Sequence, residues 1–421
     1  MKTETDTAPL QRPPLVVIGM QADGMNSLPL PAARELFRAD VIYTSHRLAA
    51  LLPADLSGRV QTWPRPFSVL GEEIVAHRDA GRRVVVVLTG SPFWFGAGPL
   101  LARHVPPEEM RVYPAPSAFS LAAARMGWAL QDVCTLSLHG RRSLCIERHM
   151  LPGVRMLVIG EDGSTPLKVA QRLVRRGFGN SRITVLAHMG TERESRENVE
   201  ARELVASARE DFPAFHMLAV EVIAGPEARI WPLAPGLPDE AFIHDGQLTK
   251  RDVRAVTVSS LQPRPHAVLW DVGAGCGSVA IEWQRIAGPL ARSFAIEASE
   301  TRCRFIAENA DRLGAIGLKV VCGKALDVLD ELPPPDAVFI GGDARSEALF
   351  DACLAALRPG GVLVANAVSI EGETALMRRH ETLGGELVRI AVEHAAPLGG
   401  LRAFRPAMPV TQLRIVKGRA A

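Results

Sequence analysis

The chain has 421 residues, of which 47% are hydrophobic and 22% are charged, the balance of a soluble globular protein with two or three domains. Its formal net charge of only +2 argues against a nucleic-acid substrate. Residues 1–13 are polar and lack the apolar run of a signal peptide, so we expect a disordered leader. The run Val84–Leu88 is far too short to span a membrane. A cytoplasmic protein without a membrane partner is expected.

The six cysteines show neither a C-x-x-C pair nor the spacing of a zinc site. They are Cys134, Cys145, Cys276, Cys303, Cys322 and Cys353. We interpret them as reduced, mostly buried thiols and expect no bound metal.

The region before residue 230 alternates continuous apolar runs, typical of buried parallel strands, with helical stretches. Strands are predicted at Leu15–Ile18, Val41–Tyr43, Val84–Leu88, Met156–Ile159, Ile183–Leu186 and Met217–Val222. Helices are predicted at Ala32–Phe37 and Gly71–Arg78, from a Ser117 cap to Gly127, and from about Pro166 to Gly177. A softer break at Tyr113–Ser117 divides this region into two α/β lobes, at about 14–113 and 114–229.

The segment Ile230–Pro238 is rich in proline and glycine, which suits a linker. Beyond it, residues 239–421 alternate strands with helices, which predicts a doubly wound, Rossmann-like α/β sheet. The predicted strands are Val268–Trp270, Ser293–Ile296, Lys319–Val321, Ala337–Ile340 and Val362–Ala365. The predicted helices are Thr249–Ser260 with Thr249 as its cap, Ser278–Ile286, Glu300–Leu313, Ala325–Leu329 and Ser346–Leu357.

Three glycines, Gly273, Gly275 and Gly277, lie between the first of these strands and its helix. Without Cβ atoms the backbone can turn tightly and approach a ligand, and the helix N-terminus offers free N–H groups to an anionic end. Asp271 ends the strand, where it can orient the loop or attract an ammonium group. Glu297 ends the next strand, where a carboxylate can accept hydrogen bonds from ribose hydroxyls. Together they predict a nucleotide-type cofactor site.

The glycine spacing distinguishes a site for a dinucleotide from a site for S-adenosylmethionine. A dinucleotide-binding G-x-G-x-x-G pattern would need glycine at the position of Ser278. The observed G-x-G-x-G favours S-adenosylmethionine, hence a methyltransferase, and argues against a dehydrogenase. Lys324 and Ala325 follow the third strand, where an adenine ring would lie, and Gly341 follows the fourth, at the edge where ligands bind.

Several segments carry a resemblance to known families. Five of them resemble the CbiT-type domain of cobalamin biosynthesis: Phe242–Arg254, Asp271–Gly275, Phe339–Gly342, Ala365–Val368 and Arg405–Gln412. Four others resemble the CbiE-type tetrapyrrole methylase: Gly19 with Ala22–Gly24, Thr89–Gly96, Pro114–Ser120 and Leu136–Arg141. The fusion in this order resembles the two-domain, decarboxylating precorrin methyltransferases of the oxygen-dependent vitamin B12 pathway.

The resemblance implies an α/β protein with a two-lobed tetrapyrrole-methylase fold at 14–229 and a class I methyltransferase domain at 239–421. It implies methylation of precorrin-6B (precorrin-6Y) at C5 and C15, with decarboxylation of the ring C acetate to give precorrin-8X. The N-terminal type is associated with C5, and the C-terminal type with C15 and the decarboxylation. The conjugated macrocycle can accept the electrons, so S-adenosylmethionine is the only cofactor implied.

The loop and the resemblance together predict the cofactor-binding residues. In the C-terminal domain they are Thr249, Asp271, Gly273, Ala274, Gly275, Cys276, Gly277, Glu297, Lys324, Ala325 and Gly341. In the N-terminal domain, between the lobes, they are Gly19, Asp23, Gly90, Ser91 and Ser117. The chain departs from the family at Gln21, where glycine is usual, and at Ser91, where aspartate is usual. Both departures lie in the expected N-terminal cleft.

Catalytic and substrate-binding candidates follow from the same comparison. His244 and Asp245 precede a helix, where they would place a proton donor over the pocket or make a helix-entry hydrogen bond, and Asn366 ends the fifth strand. A substrate with many carboxylates calls for cations near the clefts, although each is equally a candidate for a solvated surface residue. These cations are Lys250, Arg251, Arg405 and Arg141.

The family's C-terminal domain type is often multimeric, so a homo-oligomer is expected. Three alternatives to the full activity stay open. In the first, the N-terminal domain is degenerate or only binds substrate. In the second, the chain methylates RNA, since the C-terminal architecture is shared with enzymes that act on tRNA. In the third, it is a non-catalytic tetrapyrrole carrier.

Overall fold

The computed structural model describes residues 12–418, and the chain forms two compact units. The N-terminal unit comprises Met1–Arg141 and Pro152–Ala228, and the C-terminal unit comprises Arg142–Leu151 and Arg229–Ala421. The short segment Arg142–Leu151 lies within the predicted N-terminal domain but packs with the C-terminal unit. Within the described range, no helix is long and apolar enough to cross a bilayer.

The first lobe of the N-terminal unit is a five-stranded parallel sheet in the order β3-β2-β4-β1-β5. Its strands are β1 (Leu15–Met20), β2 (Val41–Thr44), β3 (Val60–Thr62), β4 (Val84–Thr89) and β5 (Met110–Tyr113). Its helices are α1 (Leu30–Arg38), α2 (His46–Ala49), α3 (Leu70–Asp79) and α4 (Gly98–Leu101). The three predicted strands are confirmed as β1, β2 and β4, whose apolar runs are buried between two layers of side chains. The edge strands β3 and β5 are only half-buried and lack such runs.

The second lobe is a mixed sheet in the order β6-β7-β10-β8-β9. Its strands are β6 (Cys134–Ser137), β7 (Arg155–Ile159), β8 (Arg182–Ala187), β9 (Ser195–Glu200) and β10 (His216–Glu221). Its helices are α5 (Ala118–Met126), α6 (Thr165–Arg175) and α7 (Ala201–Ser207). The cap of α5 is confirmed, since the Ser117 hydroxyl accepts from the Ser120 N–H at 3.1 Å, and the helix ends at Gly127 with φ 66°. Strand β9 was missed because its sequence is almost wholly polar.

The C-terminal unit contains a seven-stranded sheet in the order β13-β12-β11-β14-β15-β19-β16, with only β19 antiparallel to its neighbours. The strands of this sheet are β11 (Val268–Val272), β12 (Arg292–Glu297), β13 (Leu318–Cys322), β14 (Ala337–Ile340), β15 (Val362–Ala367), β16 (Glu386–Ile390) and β19 (Val410–Val416). A separate hairpin is formed by β17 (Glu393–Leu398) and β18 (Leu401–Pro406). The helices of the unit are α8 (Arg251–Ser260), α9 (Ser278–Ala287), α10 (Glu300–Leu313), α11 (Ala325–Val328), α12 (Glu347–Ala356) and α13 (Ile370–Leu383). The predicted doubly wound sheet is confirmed.

One predicted helix cap in this unit is wrong. Helix α8 begins at Arg251, and its N-cap is Lys250, which makes no side-chain capping bond. Thr249 lies one residue too early because its carbonyl oxygen accepts a 2.5 Å hydrogen bond from the Arg254 guanidinium, which holds this residue outside the helix.

The interpretation of all six cysteines as reduced thiols is also wrong. Cys303 and Cys322 form a disulfide, with their Cα atoms 6.2 Å apart. Cys303 lies in the first turns of α10 and Cys322 ends β13, directly beside the end of β12 in the sheet register. Because the contact arises from strand pairing, the 19-residue spacing along the chain did not reveal it.

A fully buried ion pair connects the segment predicted as a linker to the sheet domain. The Arg254 Nε lies 2.7 Å from Glu282 Oε1, and the side chains are 0% and 1% exposed. Glu282 also accepts from the N–H groups of Gly236 and Leu237 at 2.7 and 2.8 Å. The Arg254 guanidinium reaches Asp239 Oδ1 at 3.0 Å and the carbonyl of Leu237. The proline-rich segment is therefore an ordered part of the C-terminal unit.

We predict that Arg254→Ala lowers the free energy of unfolding of the C-terminal unit by about 3–5 kcal/mol, because it leaves the Glu282 carboxylate buried without its charge partner. Urea unfolding of the full chain measures this change. The matched control is Arg304→Ala, which removes an exposed pair with Glu300 at 3.9 Å and should change stability by less than about 1 kcal/mol. Equal effects of the two variants would contradict the structural role of the buried pair.

Candidate active site

A cavity of about 1370 Å³ opens at the carboxyl ends of β11, β12, β14 and β15. The strand order reverses between β11 and β14, and open α/β sheets bind ligands at such a reversal. The volume exceeds the roughly 300–1,000 Å³ of an ordinary small-molecule pocket. It therefore has room for a cofactor together with a second large ligand.

The glycine loop after β11 forms one wall of this cavity. The N–H groups of Gly273 and Ala274 both donate to the carbonyl of Ile296 at 3.0 Å, which fixes the loop against β12. Gly273 has φ +72°, and a Cβ there would lie 3.1 Å from the backbone nitrogen of Gly342. The loops after β11 and β14 therefore approach as closely as they do because a side chain is absent.

Glu297 lies on the cavity wall and is only 7% exposed. Its Oε2 accepts from the N–H of Gly275 at 2.8 Å, and its Oε1 accepts from the N–H of Ser299 at 3.0 Å. These bonds fix the carboxylate, and each oxygen keeps a second lone pair. The arrangement fits a ligand with a pair of vicinal hydroxyls, as the ribose of S-adenosylmethionine has.

Asp271 lies beneath the loop rather than on the cavity wall. Its Oδ2 accepts from the N–H of Ala280 at 2.9 Å, so it anchors the start of α9. Its Oδ1 is buried and has no hydrogen-bond partner among the described residues. Burial raises the pKa of Asp271 to about 7, and the nearby Glu297 charge adds to the shift. Because Asp271 does not line the cavity, its contacts fit the predicted role of orienting the loop better than direct contact with an ammonium group.

Most of the residues predicted for this site are brought together. Those that line the cavity are Thr249, Lys250, Arg251, Gly273, Ala274, Gly275, Glu297, Lys324, Ala325, Gly341 and Asn366. Cys276 and Gly277 lie behind the loop: Cys276 is buried, and a Cβ on Gly277 would come within 2.9 Å of Ile306. Burial raises the pKa of the Cys276 thiol, in keeping with a packing residue.

Three predicted residues, His244, Asp245 and Arg405, lie outside the cavity lining. His244 Nδ1 accepts from the N–H of Gly246 at 2.9 Å, which closes a turn. Asp245 pairs with Arg302 at 2.9 Å, and this hydrogen bond lowers the pKa of the carboxyl group. Arg405 is exposed on the hairpin, where it donates to the carbonyl of Pro397. The helix-entry alternative describes His244 and Asp245 better than a proton donor does.

A network of side chains holds Asn366 in position. Thr257 donates its single hydroxyl proton to the carbonyl of Val253 at 2.8 Å, so it must accept from its other neighbours. It accepts from Asn366 Nδ2 at 3.0 Å and from Gln412 Nε2 at 3.1 Å. Gln412 also donates to Asn366 Oδ1 at 2.9 Å. The amide of Asn366 therefore has one orientation, and its nitrogen carries a second N–H for which the described residues give no partner.

Three loops meet at the carboxyl edge of the first N-terminal sheet. A Cβ on Gly19 would lie 2.0 Å from the Gly90 carbonyl oxygen and 2.7 Å from the Ala115 nitrogen, so only glycine fits there. A Cβ on Gly90 would lie 3.3 Å from the Cα of Ser117. Gly19, Gly90 and Ser117, predicted from three separate motifs, are thus brought together. Asp23 is exposed, at the start of a 3-10 turn.

Gln21 and Ser91, the two positions at which the chain departs from the family pattern, lie at this junction. Gln21 is half-buried, and its Nε2 reaches the carbonyl of Pro116 at 3.5 Å. Ser91 is half-buried, and its carbonyl accepts from the Trp94 N–H. The Arg141 guanidinium carbon lies 5.1 Å from the centroid of the Phe95 ring.

Sequence reasoning missed several residues that line the C-terminal cavity or hold its lining in place. His394 on β17, Asp252 on α8 and Arg302 on α10 line the cavity. Gln412 on β19 does not line it but donates to Asn366, which does. No motif contains these residues together, because β17 and β19 bring His394 and Gln412 back from far along the chain only after α13. The quoted segments Phe242–Arg254 and Arg405–Gln412 contained Asp252 and Gln412, but only the fold assigns them a position.

Comparison with known proteins agrees with this geometry. The model of the tetrapyrrole (corrin/porphyrin) methylases matches residues 14–205, and that of the precorrin methyltransferase domain matches residues 240–417. A precorrin-6Y C(5,15)-methyltransferase (decarboxylating) of Sinorhizobium sp is 44% identical over 96% of this chain and 97% of the relative. Its counterpart in Mycobacterium tuberculosis is 38% identical over 96% of this chain and its own full length.

Among solved structures, the C-terminal domain of a precorrin-6Y C5,15-methyltransferase from Rhodobacter capsulatus is 41% identical to this chain. The match covers 44% of this chain and all of that domain, with a TM-score of 0.42.

We predict that Gly275→Val and Glu297→Ala each abolish methyl transfer at the C-terminal site. Valine disfavours the φ of +60° at residue 275, and alanine removes the acceptor for the ribose hydroxyls. Calorimetric titration with S-adenosylmethionine should show affinity for this site reduced on the order of 100-fold. The control is Glu300→Gln, an exposed residue at the start of α10. Unchanged affinity in both test variants would show that the loop does not bind the cofactor.

Asp271 should make stability depend on pH. Its pKa is raised from 3.8 to about 7, so protonation stabilises the folded state fully below pH 4, and this contribution is lost as the pH rises through 7. Between pH 4 and 8 the wild type should lose up to about 4 kcal/mol more stability than Asp271→Asn, which stays neutral. Urea unfolding across this range tests it, and parallel curves for the two proteins would contradict it.

Proposed function

Because this chain belongs to the family of decarboxylating precorrin-6Y C(5,15)-methyltransferases, we infer that it methylates a precorrin at C5 and C15 and removes one carboxyl group as carbon dioxide. S-adenosylmethionine is the methyl donor. The observation that carries the inference is the large C-terminal cavity, in which a glycine loop and a fixed Glu297 carboxylate share one space with cations suited to a polycarboxylate.

S-adenosylmethionine supplies, when bound, a methyl group on a sulfonium that is already a strong electrophile. The task left to the protein is to align this methyl with a nucleophilic meso carbon of the macrocycle and to exclude water. Gly273 and Gly275 keep the loop backbone open to the ligand, and Glu297 holds the loop in place. Catalysis at this site is then mainly a matter of position, since the attacking electrons come from the substrate.

The substrate side of the cavity has a different character. Lys250 and Arg251 line it and are exposed, so they can pair with peripheral carboxylates of a tetrapyrrole. Asn366 offers a neutral N–H donor from the end of β15, and its orientation is fixed by Thr257 and Gln412. We assign Lys250 and Arg251 to substrate binding and Asn366 to orienting the substrate or the cofactor.

The N-terminal unit is proposed to carry the second methyl-transfer site, at the junction of Gly19, Gly90 and Ser117. Beside this junction the side chains of Phe93, Trp94 and Phe95 are 44%, 48% and 42% exposed, and Arg141 lies over Phe95. Exposed rings next to a cation suit a conjugated macrocycle with carboxylates. This supports a tetrapyrrole ligand for the unit.

A second candidate function is favoured by Gln21 and Ser91. Gln21 fills space beside the Pro116 loop, and Ser91 lacks the carboxylate that the family usually has there. Under this alternative the N-terminal unit binds the precorrin but transfers no methyl group, and the C-terminal unit alone performs one methylation and the decarboxylation.

We further propose that the protein is a cytoplasmic homo-oligomer. The hairpin of β17 and β18 exposes Leu398, Leu401 and Phe404 at 59%, 76% and 71%. Leu398 and Leu401 pair at the tip of the hairpin, and Phe404 lies on its other face. Isolated two-stranded hairpins are marginally stable in water, and an exposed apolar surface is typical of an interface. A second copy of the chain, presenting the same hairpin, would cover it.

Mass spectrometry of precorrin-6B incubated with the full chain and methyl-labelled S-adenosylmethionine distinguishes the full two-methyl function from the alternative with an inactive N-terminal unit. The full function predicts a product with two added methyl groups and one carboxyl group lost. One added methyl group with loss of the carboxyl group would favour the degenerate N-terminal unit. Absence of any methyl transfer would contradict both.

A further inference from the structure

His394 and Asp252 form a pair of titratable side chains on the wall of the C-terminal cavity. His394 comes from β17, and Asp252 comes from the first turn of α8. The imidazole Nε2 lies 3.5 Å from the Asp252 carboxylate, and both residues line the cavity. Nothing in the methyl-transfer chemistry requires them.

The decarboxylation, in contrast, requires a proton donor. When the carbon–carbon bond between an acetate methylene and its carboxylate breaks, carbon dioxide leaves, and the bonding electron pair stays on the methylene carbon, delocalised into the conjugated macrocycle. A proton must then reach that carbon to make it a methyl group. The step is redox-neutral and needs only an acid placed beside the substrate.

His394 is the only imidazole on the lining of this cavity within residues 12–418. The other titratable lining residues are six carboxylic acids and four lysines or arginines, with no cysteine or tyrosine. Carboxylic acids are ordinarily ionised near neutral pH, and lysine and arginine ordinarily hold their protons too tightly. Histidine is the side-chain type suited to giving up a proton at this pH and regaining it.

The surroundings of His394 allow it to act as a proton donor in successive turnovers. Its side chain is 68% exposed, so it can take up a proton from solvent after each turnover. The Asp252 carboxylate lies 3.5 Å from Nε2 and orients the ring through that nitrogen. The other ring nitrogen, Nδ1, is then the one that can deliver a proton.

Resting on the proposed function, we propose that His394, oriented by Asp252, protonates the methylene carbon from which carbon dioxide has departed. In this step the Nδ1–H bond breaks, a carbon–hydrogen bond forms with the electron pair left by carbon dioxide, and the imidazole becomes neutral. His394 thereby acts as a catalytic residue for decarboxylation only, and Asp252 acts as a positioning residue.

The test uses the full chain with precorrin-6B and methyl-labelled S-adenosylmethionine, and it measures methyl transfer and carbon dioxide release separately. In His394→Gln we expect methyl transfer within about threefold of wild type but carbon dioxide release slowed about 100-fold, the usual contribution of a general acid. A methylated product that retains its carboxyl group should accumulate. Added imidazole should restore part of the release.

Asp252→Asn should slow carbon dioxide release less, on the order of tenfold, and imidazole should not restore it, since the histidine is still present. The matched control is Glu393→Gln, the preceding residue of β17, whose side chain points to the opposite face of the hairpin and lies outside the lining. It should change neither rate.

Two results would overturn the proposal: unchanged carbon dioxide release in His394→Gln, or a parallel fall of release and methyl transfer, which would indicate substrate binding instead. Failure of the proposed function would look different, because the wild type itself would then transfer no methyl groups.

Discussion

The C-terminal site depends on one buried ion pair, between Arg254 and Glu282. Two fully buried opposite charges are costly unless each is also hydrogen-bonded, and here both are. The pair connects α8 and α9 and draws the proline-rich segment up to Leu237 against the sheet domain. That attachment holds in place one wall of the cavity, which is formed by residues 238–240 and 247–253. A segment that would otherwise be a flexible connection is part of the site.

The opposite wall is made by backbone rather than by side chains. Glycines after β11 and β14 let two loops approach closely, and Glu297 pins the first loop through the N–H of Gly275. This half of the cavity therefore presents a fixed carboxylate and little side-chain bulk, as a nucleotide-like cofactor requires. Asn366 lies at the end of β15, while Lys250 and Arg251 belong to the first wall. Cofactor and substrate chemistry are thus supplied by different parts of the same sheet.

The cysteines and the proposed cap at Thr249 show where local patterns misled. Cys303 and Cys322 have no informative spacing, yet strand pairing places them together. Thr249 is a good cap by residue type, but a guanidinium competes for its carbonyl group and shifts the helix start to Arg251. His244 and Asp245 precede a helix as expected, but their side chains stabilise the turn and its neighbour Arg302 instead of facing the cavity. In each case a contact that the local pattern does not contain, two residues away at His244 and 19 at the disulfide, outweighed the local preference.

The sequence by itself determined the two α/β parts, the glycine loop with Asp271 and Glu297, and the family, because these are carried by continuous apolar runs and by motifs within single strand–loop–helix units. The extent of helix Glu300–Leu313 was read correctly for the same reason. Only the tertiary structure decided that Asn366 is oriented by Thr257 and Gln412, and that His394 faces Asp252. The pairs Thr257–Asn366 and Asp252–His394 are separated by more than 100 residues and the pair Asn366–Gln412 by 46. His394 and Gln412 reach their partners because β17 and β19 return to the site after α13. Pairing over that distance depends on sheet order and register, which residue spacing does not encode.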